Sequence, residues 1–152
     1  MNSGTTGYKR QRRAVEKKMS VKKREIKNSC YPKNALVVDE VTEPRRLVQH
    51  LLESLSFQTV AAYNSHEAIQ ILYNSRIQFD FIFVDFDLSI TPGPELVRRI
   101  RAMGIRSKVV GMCTNYSDAN CQMFQEARAN ATVAKPLNRQ TLEIVTGILA
   151  II

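Results

Sequence analysis

The run Phe81-Ile82-Phe83-Val84-Asp85-Phe86-Asp87 constrains this chain most. Five of its seven residues are apolar, and several are aromatic or β-branched. That density predicts a strand buried on both faces, as in the interior of a parallel sheet. The strand ends in two carboxylates and opens into Ser89, Thr91, Pro92, Gly93 and Pro94. A carboxylate at the margin of a core is costly unless something satisfies it. In open α/β sheets ligands sit outside the carboxyl ends of the strands. Asp85 is therefore the first candidate for chemistry, and a solvated loop acid is the plain alternative.

The same design recurs upstream. Asn34-Ala35-Leu36-Val37-Val38-Asp39-Glu40 is a second apolar strand ending in acid, here a pair. Pro44 suits the first turn of a helix, and Leu47, Val48, Leu51, Leu52 and Leu55 follow at helical spacing. A short strand is expected over Thr59–Tyr63, then a helix capped by Ser65 and carrying Ala68, Ile69, Ile71 and Leu72. The central strand is expected over Phe79–Asp85, and a helix over Glu95–Met103 that stops at Gly104. A fourth strand runs over Lys108–Cys113, and Ser117 or Asp118 caps the next helix through Cys121, Phe124 and Ala127. A fifth strand over Thr132–Ala134 leads to Lys135-Pro136. A last helix begins near Asn138 and carries Leu142, Val145, Ile148 and Leu149.

Five strands alternating with five helices predict an α/β fold: a five-stranded parallel sheet with right-handed crossovers and helices on both faces. Two apolar strands ending in acid are expected side by side at the centre. The flavodoxin-like order 2-1-3-4-5 puts their ends together at the switch point.

The net charge of +8 belongs to one end of the chain. Residues 1–33 carry eleven Lys/Arg against Glu16 and Glu25, a net of +9, whereas residues 34–152 carry eleven against twelve acids, a net of −1. Residues 1–33 read as a basic tail, disordered by composition, and 34–152 as one domain. Val15, Met19 and Ile26 offer the tail a thin apolar stripe for a partner-induced helix. Its basic clusters suit nuclear import or an anionic surface, so the expected location is the nucleus, the cytoplasm or both. Nucleic-acid binding as the main role is not expected: few aromatics, Tyr8 among them, accompany the basic residues, and no binding motif is present. No apolar run of about 18 residues predicts a transmembrane helix, and no apolar segment near the start suggests a secretory signal. Cys30, Cys113 and Cys121 show neither zinc nor disulfide-framework spacing and suit a reducing compartment. His50 and His66 stand apart from any ligand set.

The topology brings Asp39, Glu40, Asp85 and Asp87 to one sheet edge, with Cys113, Thr114 and Lys135 at or near the ends of the last two strands. Several carboxylates so close repel one another, so either some bind protons or a cation sits among them. Oxygen donors favour Mg²⁺ or a similar hard cation. With Lys135 opposite, such a site suits a phosphoryl group arriving on a carboxylate.

In this order the pieces resemble the receiver domain of two-component response regulators. The resemblance covers residues 34 to about 150. It rests on Val37-Val38-Asp39-Glu40, on Asp85 followed by Gly93 and then Glu95-Leu96, on Val109-Val110-Gly111-Met112-Cys113-Thr114, and on Lys135-Pro136. The wording around Val109–Asn120 and Glu126–Leu137 is most similar to short plant response regulators with little beyond the receiver. The resemblance implies that Asp85 accepts a phosphoryl group from a histidine phosphotransfer protein. It implies Mg²⁺ held by Asp39, Glu40, Asp85 and the backbone carbonyl of Asp87, and Lys135 paired with a phosphoryl oxygen. It further implies a hydroxyl at the end of the fourth strand that closes on the phosphate. Any catalysis would be of the protein's own phosphorylation and dephosphorylation.

Several residues depart from the family pattern. The acidic pair is Asp-Glu, and Asp87 adds a carboxylate near the acceptor. Ser89 stands where proline is usual, which is expected to loosen the loop. Cys113 takes the place of Ser or Thr, judged by its spacing to Lys135, unless the register slips by one and Thr114 serves. Thr132 stands where an aromatic switch residue is frequent, and Arg128 replaces a common glycine. These departures motivate an alternative, a pseudo-receiver that acts as a phosphorylation-independent interaction module. Only the final helix remains after residue 137, so output is expected through protein contact, phosphate drainage or the tail. Ile151 and Ile152 are expected to be exposed and to offer a surface for weak homodimerisation.

Overall fold

The computed structural model describes residues 10–14, 16 and 33–152. Strands β1 (Lys33–Val38), β2 (Phe57–Ala62), β3 (Phe81–Asp85), β4 (Lys108–Cys113) and β5 (Ala131–Ala134) alternate with helices α1 (Thr42–Ser54), α2 (Ser65–Asn74), α3 (Gly93–Ala102), α4 (Asp118–Glu126) and α5 (Arg139–Leu149). The sheet is parallel throughout, in the order β2-β1-β3-β4-β5. The two acid-terminated strands are neighbours, with Val38 paired to Val84.

Alternation along each strand divides the core in two. Leu36, Val38, Ile82, Val84 and Val109 face one side, where α2 contributes Ala68, α3 Leu96 and Ile100, and α4 Phe124. Ala35, Val37, Phe81, Phe83, Val110 and Met112 face the other, against Val48 and Leu52 of α1 and Leu142 and Leu149 of α5. A strand lined on both faces by helices must be apolar at every position; β3 is buried from end to end.

Boundaries shift where local chemistry favours a neighbour. β2 starts at Phe57, ahead of Thr59, because Phe57 pairs with Lys33 and sets its ring edge-on to Phe81 at 5.7 Å. β3 starts at Phe81 and not Phe79. The cap of α2 is Asn64, whose side chain accepts from the Glu67 N–H, and Ser65 is the first helical residue. Glu67 in turn accepts from the Tyr63 N–H at 3.1 Å, one residue ahead of the cap, so a second contact holds this start. Ser117, not Asp118, caps α4. Gly104 ends α3 region as expected, in the left-handed conformation.

In the tail, residues 10–14 and 16 are helical and exposed, with Arg12 paired to Glu16 one turn on at 3.1 Å. Composition alone suggests no structure there, but such a pair supports a helical turn. Val15, Met19 and Ile26 lie outside the described residues. At the other end, Ile152 is exposed while Ile151 is half-buried, and Lys108 Nζ donates to the Ile152 carbonyl at 3.0 Å.

Candidate active site

The carboxyl ends of β1, β3, β4 and β5 form one edge. Asp85 is the last residue of β3 and Asp39 follows the last residue of β1. Both are buried, Asp39 completely and Asp85 to 3% exposure. Lys135 follows β5, with its backbone N–H donating to the Cys113 carbonyl at 2.8 Å. Its Nζ reaches Asp39 Oδ2 at 2.7 Å and Asp85 Oδ1 at 3.2 Å. The second oxygen of Asp39 accepts from the Val41 N–H at 3.0 Å.

These three groups hold one positive charge against two negative ones. Burial, then the charge of Asp39, pushes the Asp85 carboxyl above its ordinary 3.8, and Lys135 offsets only part of that. Burial alone would lower Lys135, but its contacts with Asp39 and Asp85 outweigh burial and raise it, so it stays an ammonium. An excess of buried negative charge among oxygen donors is what a hard cation neutralises. Asp39 and Asp85 fit such an ion.

Glu40 stands elsewhere. Its Oε1 accepts from both the Ser89 N–H, at 2.7 Å, and the Ser89 hydroxyl, at 2.8 Å. Among the described residues no three His, Cys, Asp or Glu side chains are gathered as a metal cage. Ser89 therefore ties the loop after β3 to the β1–α1 loop, where the sequence suggested loosening; a proline lacks both donors. Asp87 is exposed.

The acceptor loop is held on both sides of Ser89. The Gly93 N–H donates to the Phe86 carbonyl at 3.0 Å, and the buried Ser65 hydroxyl donates to the Thr91 carbonyl at 2.8 Å. A Cβ on Gly93 would lie 2.9 Å from Phe86 Cα and collide with the Asp85 carbonyl oxygen. Glycine at this position is thus a condition for α3 to approach the acceptor strand.

Register assigns the end of β4. Asp85 pairs with Met112 and Cys113 with Ala134, so Cys113 is the terminal strand residue and Thr114 lies exposed beyond it. The Cys113 side chain joins the apolar cluster of Val84 and Phe124. Burial, with smaller contributions from Cys121, Asp85 and Asp87, raises its thiol to about 11, so it is protonated at neutral pH. A thiol is a weak donor. Cys121 is half-buried on α4, and His50 and His66 are exposed.

Arg45 belongs to the site and is hard to foresee. It lies on α1, where helical spacing shows only the leucines. It is 8% exposed, donates from Nη1 to the Asp39 carbonyl at 3.0 Å, and sets its guanidinium 4.3 Å from the Tyr63 ring centroid. It braces the backbone of the acidic pair against the end of β2. Its only sequence signal is an arginine one turn into the helix that follows two acids.

The family model described as response regulator receiver domain matches residues 35–146. The chain is 35% identical over 103 residues to two-component response regulator 24 of Arabidopsis thaliana, covering 68% of this chain and 73% of the relative. It is 31% identical over 117 residues to two-component response regulator ORR42 of Oryza sativa subsp. japonica, covering 76% and 83%. Sensor histidine kinase RcsC of Salmonella typhimurium is 30% identical over 116 residues, covering 76% of this chain and 12% of that much longer protein. The fold matches the chemotaxis response regulator CheY4 of Vibrio cholerae with a TM-score of 0.72 at 22% identity, over 78% of this chain and 99% of that one. Among the described residues no helix is long and apolar enough to cross a membrane.

Proposed function

This chain belongs to the response regulator receiver family, and on that footing we propose that it takes a phosphoryl group on Asp85 from a histidine phosphotransfer protein, as a stand-alone receiver in a His-to-Asp relay. The observation that carries the reading is the contact of half-buried Lys135 with buried Asp39 and Asp85 at the ends of three strands. An Asp85 oxygen attacks the phosphorus of the donor phosphohistidine. An O–P bond forms as the N–P bond breaks, and the imidazole departs with the bonding pair.

The chain's own groups prepare each part. Burial beside Asp39 makes the Asp85 carboxylate high in energy, and therefore willing to share its charge with phosphorus. Lys135 can follow the new negative charge from the Asp85 oxygen to a phosphoryl oxygen. Asp39 and Asp85 would hold Mg²⁺, with Glu40 as a third donor once it leaves Ser89; the crystal structure of the PA1611 receiver domain of Pseudomonas aeruginosa has a magnesium ion in its active-site cleft. When bound, the ion supplies positive charge to the transferring phosphoryl oxygens. The Gly93 contact with Asp85 keeps the nucleophile at the mouth of the sheet.

Cys113 favours a second reading for the output. A buried, protonated thiol contributes little to a phosphoryl oxygen, so phosphorylation would change the α4 surface weakly and partner binding would not depend on it. The basic tail suits work in the nucleus as well as the cytoplasm.

Incubation with acetyl phosphate and Mg²⁺ tests the proposal. The expected result is one added phosphoryl group by intact mass, on the peptide holding Asp85 and released by hydroxylamine. Absence of the adduct in the folded protein, or its appearance on another residue, contradicts the proposal.

A further inference from the structure

We propose that Ser89 is a positioning residue for the cation: it latches Glu40 away from the Asp39–Asp85 pair, so that cation loading must break the latch. The inference rests on the receiver reading above. Both donors of Ser89, the backbone N–H and the hydroxyl, converge on one oxygen, Glu40 Oε1. Asp39 and Asp85 instead turn their carboxylates to Lys135. Neighbouring acids at one sheet edge are thus divided between two partners.

The loop's fixation turns this contact into a choice. Leu88, on one side of Ser89, is buried. Thr91, on the other, is tied by its carbonyl to Ser65, and Gly93 is wedged against the Asp85 carbonyl. Ser89 cannot travel with Glu40 if that side chain swings towards an ion. The hydrogen bonds to a charged oxygen must then be given up, and each such bond opposes loading. Cation binding by Glu40 and loss of its two hydrogen bonds to Ser89 become a single event, and the free energy of those bonds is subtracted from the affinity.

The test is titration of the full-length, metal-free protein with Mg²⁺, followed by amide NMR, for wild type, Ser89→Ala, Glu40→Gln and the double variant. Ser89→Ala removes the hydroxyl and keeps the N–H, so it is expected to bind Mg²⁺ about fivefold more tightly. The gain should vanish in the Glu40→Gln background. In wild type the Ser89 amide resonance should move with Mg²⁺ occupancy. Without metal, Glu40→Gln should already shift that resonance. Equal or weaker binding by Ser89→Ala, or a Ser89 resonance unmoved by Glu40→Gln, overturns the latch and leaves the receiver reading standing. Failure of folded wild type to bind Mg²⁺ at millimolar concentration overturns both.

Discussion

Gly93 lies so close to Asp85 that a single added methyl would collide with the Asp85 carbonyl oxygen. The contact joins the start of α3 to the end of the acceptor strand. Because the opposing atoms are backbone, they cannot rotate away as a side chain would. Gly93→Ala is therefore expected to displace the acceptor loop while the rest of the sheet stays folded. Phosphorylation of Asp85 should slow by roughly 10- to 100-fold, since misplacement on the scale of an ångström is enough to do so. Circular dichroism beside the phosphorylation rate checks both halves; an unchanged rate would show that the loop yields.

Asp85→Asn is expected to make the protein more stable at neutral pH. Burial and the Asp39 charge raise the Asp85 carboxyl above 3.8, so the folded state holds its proton more strongly than the unfolded chain. For a carboxyl raised in this way, stability falls as pH climbs from 3.8 through the folded-state value. Asparagine never ionises and escapes that loss. Urea midpoints should therefore coincide for the two proteins well below pH 3.8 and diverge above it, with the variant higher. A variant less stable than wild type at neutral pH would mean that the Lys135 contact outweighs the burial cost.

Arg128 occupies a left-handed conformation, φ 71°, in which a side chain costs on the order of 1 kcal/mol. Its charge also opposes Arg101, whose guanidinium is lowered by burial and then by Arg128. Arg101 bonds to the backbone carbonyl of Arg128 at 3.0 Å, not to its side chain, so glycine keeps that contact. Arg128→Gly should stabilise the domain by about 1 kcal/mol, read as a shift of the urea midpoint at unchanged slope.

Cys113 should resist alkylation in the folded protein. It has no exposed surface, and a thiol raised to about 11 is almost wholly protonated at neutral pH. Peptide mapping after brief iodoacetamide treatment should find Cys113 unmodified until denaturant is added, with half-buried Cys121 reacting ahead of it. Rapid labelling of Cys113 without unfolding would mean that the end of β4 opens.

The strand order and the convergence of Asp39, Asp85 and Lys135 could be read from the sequence because apolar runs that end in acid announce both burial and position. What escaped reading is tertiary. Glu40 and Ser89 are 49 residues apart, and nothing local separates a serine that anchors a loop from one that frees it. Arg45 looks like a solvated helical residue until the Asp39 carbonyl and the Tyr63 ring are seen around it. Asn64 and Ser65 are both good caps, and only the bond from the Glu67 N–H to the Asn64 side chain separates them. Cys113 against Thr114 needed the register of β4 on β5.

The most direct test of the account is phosphoryl transfer from a phosphorylated histidine phosphotransfer protein to the purified chain, with and without Mg²⁺, beside Asp85→Asn. Transfer should need Mg²⁺ and disappear in the variant. A folded protein that binds the donor and takes no phosphate, or one that is labelled equally when Asp85 is asparagine, would contradict it.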